Sequence, residues 1–348
     1  MPDPRLSPIA MRLTTGDAPA ALLLANAILA DSTLSMPDRI AALVLRARGH
    51  EVMADRERAI VDLEGALAID GSQARLWNEL GLVCADAGRV ARSISAFEHA
   101  VQVDPGYARG WNNLGNALRG VGRTGEAVRA AERATAADPG YFLAWSNLGA
   151  LRREAGDDPG AALALRRALE LAPNHIGAMR TLGGLLRDRG DLEGAIDLFQ
   201  RVVKMDAADA TSAFLLGAAL AERDQLAAAR EAFEQARNRD PQLLRAVIAQ
   251  HLTLPMLATD VAAVTQARAA YEQGMTSLEE QLPALASGLA PDHLLNELRH
   301  TNFLLPYQGD NDTTLQRRYG NLVGAMVEAR APDWRRPLVQ RVRAGSRL

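Results

Sequence analysis

Asparagine side chains recur at matching places along this sequence, and a carboxamide can donate and accept hydrogen bonds at once. Asn112 and Asn113 are followed 34 residues later by Ser146 and Asn147 and are preceded at the same interval by Asn78. Side chains of this kind can hold the backbone of an extended peptide whatever residues that peptide carries. The predicted peptide-contacting residues are Asn78, Asn112, Asn113, Asn116, Ser146 and Asn147. The alternative is that they are solvated polar positions on exposed helix faces.

The residue patterns that would support catalysis within the chain are missing from the sequence. Gly120, Gly122 and Gly125 spell G-x-G-x-x-G, but they follow a helix-forming stretch and not the strand that a dinucleotide site requires. The six histidines show no pairing at three- or four-residue spacing that would suit zinc, and no G-x-S-x-G nucleophile motif occurs. We therefore expect no catalytic residue, no metal site and no cofactor in this chain.

The elements that position the asparagines follow from a fixed period of 34 residues. A Leu-Gly pair recurs at this step at Leu80-Gly81, Leu114-Gly115, Leu148-Gly149, Leu182-Gly183 and Leu216-Gly217. Proline follows the same period at Pro105, Pro139, Pro173 and Pro241, with Ala207 in the one vacant place. A period of this length is typical of repeat proteins, in which each unit buries its apolar face against its neighbours.

Residues 108–141 show why each unit is predicted to be a pair of antiparallel helices. Trp111, Leu114 and Gly115 begin one helical stripe, Ala127 begins the stripe of a second helix, and Asp138-Pro139-Gly140 ends it. The glycines at 120, 122 and 125 are expected to form the turn. With the first-helix aromatic, the Leu-Gly pair, the small residue, the bulky position after it and the closing proline, the sequence resembles the tetratricopeptide repeat family.

The predicted fold is accordingly all-α, a right-handed superhelical solenoid of antiparallel helix pairs with an atypical helical C-terminal segment. The residues assigned to structure are Trp77, Leu114, Gly115, Ala127, Trp145, Leu148, Gly149, Pro105, Pro139 and Pro173. For Trp77, Trp111 and Trp145 a stacking platform for a ligand is the alternative to core packing.

Four segments are predicted along the chain. Residues 1–39 form a degenerate N-terminal repeat or cap, in which Pro8 is expected to break the first helix. Residues 40–243 form six repeats, and residues 244–290 form an atypical helical segment. Residues 291–348 form a linker that leads toward a catalytic domain absent from this chain.

Composition limits the compartment and the partners. A formal net charge of −3 and the lack of clustered basic surface in the repeats argue against nucleic acid. The single cysteine, Cys84, fits a reducing cytosol and is expected to be a packed, inert thiol. No signal peptide and no apolar run of roughly 18 residues is present, so no membrane association is expected. We predict a cytoplasmic protein whose end repeats could pair two chains into a homodimer.

Two runs near the C-terminus carry a second resemblance. LTLP at Leu252–Pro255 precedes a helix-forming stretch from Asp260 to Leu278, and HTNFLLPYQGDNDTTLQRRYGNL extends from His300 to Leu322. They resemble the segment that joins repeats to catalytic domain in O-GlcNAc transferase and SPINDLY-type protein O-glycosyltransferases. The WNNLGN of Trp111–Asn116 also resembles the repeats of O-GlcNAc transferase, whose groove asparagines hold an extended peptide.

This resemblance implies a function and one further residue. His300 matches the first histidine of a His-x-x-x-x-x-Pro motif that borders the active site in the family, although Thr301 replaces the second histidine of the animal enzymes. The chain would then capture a protein acceptor, flagellin-type or other, for a UDP-sugar-dependent protein O-glycosyltransferase without being catalytic itself. The alternative is a free-standing adaptor or co-chaperone scaffold that uses the same groove without catalysis.

Overall fold

The computed structural model describes residues 3–255, 260–298 and 313–331, and their regular secondary structure is entirely helical. This confirms the predicted all-α fold of antiparallel helix pairs. His300 and most of the run that follows it lie outside the described residues. The helices are α1 (Leu6–Thr14), α2 (Ala18–Leu29), α3 (Met36–Val52), α4 (Arg56–Ile69), α5 (Ala74–Asp86), α6 (Val90–Val103), α7 (Ala108–Gly120), α8 (Thr124–Ala137), α9 (Phe142–Glu154), α10 (Asp158–Leu171), α11 (Ile176–Asp188), α12 (Leu192–Met205), α13 (Ala210–Glu222), α14 (Leu226–Arg239), α15 (Leu244–Leu252), α16 (Val261–Ala286), α17 (Pro291–Glu297) and α18 (Thr313–Arg330).

The chain divides into an N-terminal unit, Met1–Thr181, and a C-terminal unit, Leu182–Leu348, so the division falls inside α11. In the N-terminal unit the closest helix packing is within the pairs α3 with α4, α5 with α6, α7 with α8 and α9 with α10. Each pair also packs against the next one along the chain. In the C-terminal unit, α13 and α14 form a pair of the same kind.

The turn inside a pair depends on one glycine in particular. Gly122 lies between α7 and α8 with φ +76°, a left-handed conformation that residues with a Cβ rarely adopt. Gly88, Gly156 and Gly190 occupy the same place in other repeats with φ between 71° and 81°. The prediction that Gly120 and Gly125 also form the turn is wrong, because Gly120 ends α7 and Gly125 lies within α8.

At the N-terminus, the expectation that Pro8 breaks the first helix is also wrong. α1 begins at Leu6, so Pro8 falls in its first turn, where a missing amide proton costs no intrahelical bond. Leu6 and Ile9 of this helix are buried against Ala21 and Ala25 of α2.

One buried ion pair replaces the Leu-Gly packing in the first full repeat. Arg46 stands where later repeats carry leucine, and its Nε and Nη2 donate to the Asp62 carboxylate at 2.9 and 2.5 Å. The Asp62 side chain is 4% exposed and that of Arg46 is 25% exposed. Arg46 Nη1 also donates to Asn26 Oδ1 at 2.8 Å, and His50 Nε2 lies 3.8 Å from Asp62 Oδ2.

In the C-terminal unit, a separate core forms where the 34-residue pattern ends. Leu244, Val247, Ile248 and Leu252 of α15 are buried with residues of α16, α17 and α18. The main α16 contributions are Tyr271, Met275, Leu278 and Leu282. α15 and α16 approach each other at Gly274, where an added Cβ would lie 2.3 Å from the backbone oxygen of His251.

The His251 side chain predicts a pH dependence of stability. Burial lowers its pKa below the usual value, the positive charge of Arg237 lowers it further, and its Nε2 has no hydrogen-bond partner among the described residues. The unfolded chain therefore takes up the proton first, and stability falls as pH drops below about 6.5. We expect urea midpoints at pH 7.5 and 5.5 to differ less in His251→Gln than in wild type. An unchanged difference would contradict this assignment, although His50, whose pKa burial also lowers, will keep part of the slope.

Candidate peptide-binding surface of the N-terminal unit

The predicted asparagines lie on α5, α7 and α9, which we call the first helices, and two hydrogen bonds join them between repeats. Asn113 Nδ2 donates to Asn78 Oδ1 at 2.8 Å, and Asn147 Nδ2 donates to Asn112 Oδ1 at 2.7 Å. In each bond the donor and acceptor are 35 residues apart, so the donor is one position further along its own helix. The same contact is therefore made twice, by successive pairs of helices.

Burial divides the six residues into two kinds. Asn78, Asn112 and Ser146, at one position of the repeat, are buried with exposures of 6%, 5% and 8%. Asn113 and Asn147, at the next position, are half-buried, and Asn116 is exposed one turn beyond Asn113. The buried asparagines serve as acceptors inside the stack, whereas the half-buried ones remain partly open to solvent.

The bonds also fix which end of the half-buried amides remains available. Asn113 and Asn147 each use the nitrogen toward the neighbouring helix, and within the described residues their Oδ1 atoms accept no hydrogen bond. A carboxamide oxygen carries two acceptor sites. The surface therefore presents two acceptor oxygens at the same position of adjacent repeats.

The tryptophans of these repeats hold the loops that precede the first helices. Nε1 of Trp77, Trp111 and Trp145 donates to the carbonyl oxygen of Gly71, Pro105 and Pro139, at 2.8, 2.9 and 2.9 Å. Their rings are partly buried against the hydrophobic clusters of the unit. Both contacts favour core packing and loop anchoring over a stacking platform for a ligand.

The small and apolar positions predicted to be structural bring the helices of each pair together. Leu114, Leu148 and Ala127 are buried. A Cβ on Gly115 would lie 3.3 Å from Ala127 O, and one on Gly149 would lie 2.5 Å from Leu165 Cγ. Pro105 and Pro139 lie in the loops that the tryptophans hold, and Pro173 follows α10 at the corresponding place.

Ion pairs border the asparagines on both sides. Glu79 of α5 accepts from Arg75 at 3.2 Å and from Arg48 of α3 at 3.1 Å. Arg119 of α7 pairs with Glu154 of α9. Burial raises the pKa of Glu51, and the nearby negative charge of Glu79 raises it further. These charges are largely neutralised within the surface.

The inter-repeat bonds predict a stability effect for the asparagines. Asn147→Ala leaves the buried Asn112 Oδ1 without its donor and is expected to cost about 1–2 kcal/mol of unfolding free energy. Asn116→Ala, at an exposed position, should change stability by less than about 0.5 kcal/mol. Urea denaturation of both variants and of Asn112→Ala/Asn147→Ala gives the comparison; additive single costs in the double variant would contradict a direct bond.

Comparison with known families matches the repeats. The family model for the tetratricopeptide repeat matches residues 44–108, 112–176 and 180–243, which together make up more than half of the chain. The matched ranges include the first helices and the asparagines described above.

Solved structures share the fold at low sequence identity. A TPR repeat-containing protein from Cytophaga hutchinsonii is 14% identical with a TM-score of 0.54, covering 68% of this chain and 95% of that one. PilF of Pseudomonas aeruginosa is 21% identical with a TM-score of 0.53, covering 59% and 94%. YrrB, described as a TPR protein with an unusual peptide-binding site, is 21% identical with a TM-score of 0.47, covering 54% and 97%. No curated protein sequence matches this chain.

Two further searches concern the described residues. None of their helices combines the length and apolar character that crossing a membrane requires. They contain no group of three or more His, Cys, Asp or Glu side chains placed to hold a metal ion. Cys84 is buried, and burial raises the pKa of its thiol, as expected for a packed cysteine.

Proposed function

Because this chain belongs to the tetratricopeptide repeat family, we propose that it is a protein-interaction module that captures an extended segment of a partner on its first helices. The observation that carries the proposal is the pair of oriented carboxamides at Asn113 and Asn147. Their free Oδ1 atoms are suited to accept backbone N–H groups, which every peptide offers except at proline.

The spacing of the repeats suits an extended chain. Packed helices lie roughly 8–10 Å apart, and an extended peptide advances roughly 3.3 Å per residue. Asn113 and Asn147, on neighbouring first helices, would therefore contact peptide residues about three positions apart. Recognition of this kind reads the backbone and leaves the choice of partner to the side chains around it.

The experiment uses a degenerate pool of dodecapeptides on beads, with bound chain measured directly. The test variant carries Asn78→Ala, Asn113→Ala, Asn112→Ala and Asn147→Ala together, so that neither partner of a bond is left alone. Loss of two backbone hydrogen bonds of about 1 kcal/mol each should weaken binding about 30-fold. Retention of the same peptides at the same affinity by a folded variant would refute the proposal.

A finer proposal is that the captured segment is the acceptor of a protein O-glycosyltransferase. Its support is the sequence resemblance at WNNLGN, at LTLP and in the run from His300 to Leu322, much of which lies outside the described residues. The repeat family is equally compatible with an adaptor or co-chaperone scaffold without catalysis.

The mass of the native product in its source cell distinguishes these two. A product larger than the 37.4 kDa of this chain by a further domain with UDP-sugar-dependent transferase activity would support the acceptor-capturing arm. A product of equal mass would refute it and leave the adaptor. The alanine variants above would then be applied to the partner of that adaptor.

A further inference from the structure

Arg109 differs from the other charged residues that border the asparagines. It is exposed in the first turn of α7, and within the described residues it forms no ion pair and no hydrogen bond. By contrast, Arg48 and Arg75 pair with Glu79, and Arg119 pairs with Glu154. A guanidinium presents five N–H donors in a planar arrangement that matches a carboxylate or a phosphate. Those of Arg109 are available to an external group.

Two tyrosines accompany this arginine. Tyr107 and Tyr141 are the residues that immediately precede α7 and α9, 34 positions apart. Both are half-buried, and their hydroxyl groups form no hydrogen bond within the described part of the chain. The Tyr107 ring lies where a side chain on Gly110 would be, because a Cβ there would be 2.8 Å from Tyr107 Cδ1. Gly110 thus allows the ring to lie along the start of α7.

Electrostatics indicate that the three groups are close together. Burial raises the pKa of both phenols, and the positive charge of Arg109 opposes that rise in each. Tyr107 and Tyr141 also influence one another. Arg109 therefore acts on both hydroxyl groups at once.

The acidic residues nearby are already engaged elsewhere. Asp104 Oδ1 accepts the Gly106 N–H, and Asp138 Oδ1 accepts the Gly140 N–H, both at 2.9 Å. Glu79 is held by Arg75 and Arg48. No carboxylate among the described residues neutralises Arg109, although two hydroxyl donors lie beside it.

We propose that Tyr107, Arg109 and Tyr141 form an anion-binding site that accepts a carboxylate or a phosphate group. Arg109 and Asn113 are four residues apart on α7 and so lie on one face of that helix, next to the oriented amide oxygens. An extended segment bound by the asparagines would place an acidic or phosphorylated side chain here. This peptide assignment rests on the proposed function, whereas the anion site itself does not.

The anion site is tested first without any peptide. The full chain, labelled with ¹⁵N at arginine, is titrated with sodium acetate and separately with inorganic phosphate at constant ionic strength, and the Nε–H signals are followed by NMR. Arg166 of α10 is the internal control, because it is exposed and also forms no ion pair or hydrogen bond within the described residues. The Arg109 signal should shift saturably at about tenfold lower anion concentration than that of Arg166. Equal shifts of both signals would overturn the site.

Variants separate the hydroxyl groups from the charge. Tyr107→Phe/Tyr141→Phe keeps both rings and removes the two donors, and it should weaken anion binding at Arg109 severalfold. Arg119→Gln removes an arginine that is already paired and should leave the Arg109 titration unchanged. An unaltered titration in the double Phe variant would remove the tyrosines from the site.

Peptide pools then identify the source of the anion. Three dodecapeptide pools carry Glu, phosphoserine or Gln at one fixed central position, and binding is compared for wild type and Arg109→Gln. We expect the Glu or the phosphoserine pool to bind about tenfold better than the Gln pool, and Arg109→Gln to abolish that preference. Binding of all three pools equally would refute anion recognition in the groove while sparing the proposed function. A selective Arg109 response to small anions with no pool bound would refute the proposed function while sparing the anion site.

Discussion

Gly274→Ala is expected to lower the unfolding free energy of the C-terminal unit by about 2–3 kcal/mol. The new Cβ would lie 2.3 Å from the backbone oxygen of His251 and 3.0 Å from its carbonyl carbon. No side-chain rotation relieves a contact with backbone, so α15 and α16 must move apart. The gain in helix propensity from glycine to alanine is only about 1 kcal/mol and does not offset this strain.

Gly115→Ala is the matched control for this prediction. A Cβ at Gly115 would come no closer than 3.3 Å to its nearest neighbour, Ala127 O, so the gain in propensity should leave stability within about 1 kcal/mol of wild type. Stacked helix pairs need not unfold in one step, so urea denaturation should be joined by hydrogen exchange at the amides of α15 and α16. Equal effects of Gly115→Ala and Gly274→Ala would contradict the close approach of α15 and α16.

Asp62→Ala is expected to cost about 2–3 kcal/mol in the N-terminal unit, less than for a fully buried pair because Arg46 reaches solvent. The change removes both acceptors of the Arg46 fork and leaves a charge half-buried beside His50. The five following repeats suggest the compensating change. They carry leucine at the position of Arg46, and alanine or leucine at that of Asp62.

Arg46→Leu/Asp62→Ala therefore reproduces the pairing found in the later repeats. It should recover stability to within about 1 kcal/mol of wild type, because apolar packing of similar volume often replaces a buried ion pair without loss. The measurement is a double-mutant cycle in urea at neutral pH. A double variant as unstable as the sum of its single variants would show that the ion pair is not the source of the effect.

The helix pairs could be predicted from the sequence because their signal is repeated. Leu-Gly occurs five times at one interval, so a single departure such as Ala207 does not obscure the period. Where the pattern occurs only once, prediction was weaker. Pro8 suggested a broken helix, yet its effect depends on which turn of α1 contains it, and that is set by packing of Leu6 and Ile9 against α2.

The candidate site shows a different limit. The sequence placed the asparagines in register by comparing equal positions of successive repeats. The hydrogen bonds instead join unequal positions, from Asn113 to Asn78 and from Asn147 to Asn112, an offset of 35 that the 34-residue comparison does not reveal. The sequence also led to the expectation that Asn113 and Asn147 could be replaced without a change in melting, whereas these bonds predict a loss of stability. Likewise, the missing leucine at Arg46 was visible, but its partner Asp62 lies on another helix at a position without any distinctive signal.

The direction of the asparagine bonds has a consequence for how such a chain can change in evolution. Each bond runs from a donor in one repeat to an acceptor in the repeat before it. Loss of one whole repeat, residues 108–141, would join Tyr107 to Phe142 and place Asn147 beside Asn78, so a donor would again meet an acceptor. Duplication of the same repeat would add one matched pair. The array can therefore lengthen or shorten by whole repeats while every internal carboxamide keeps a partner, and the length of the surface offered to a ligand can vary without a redesign of its contacts.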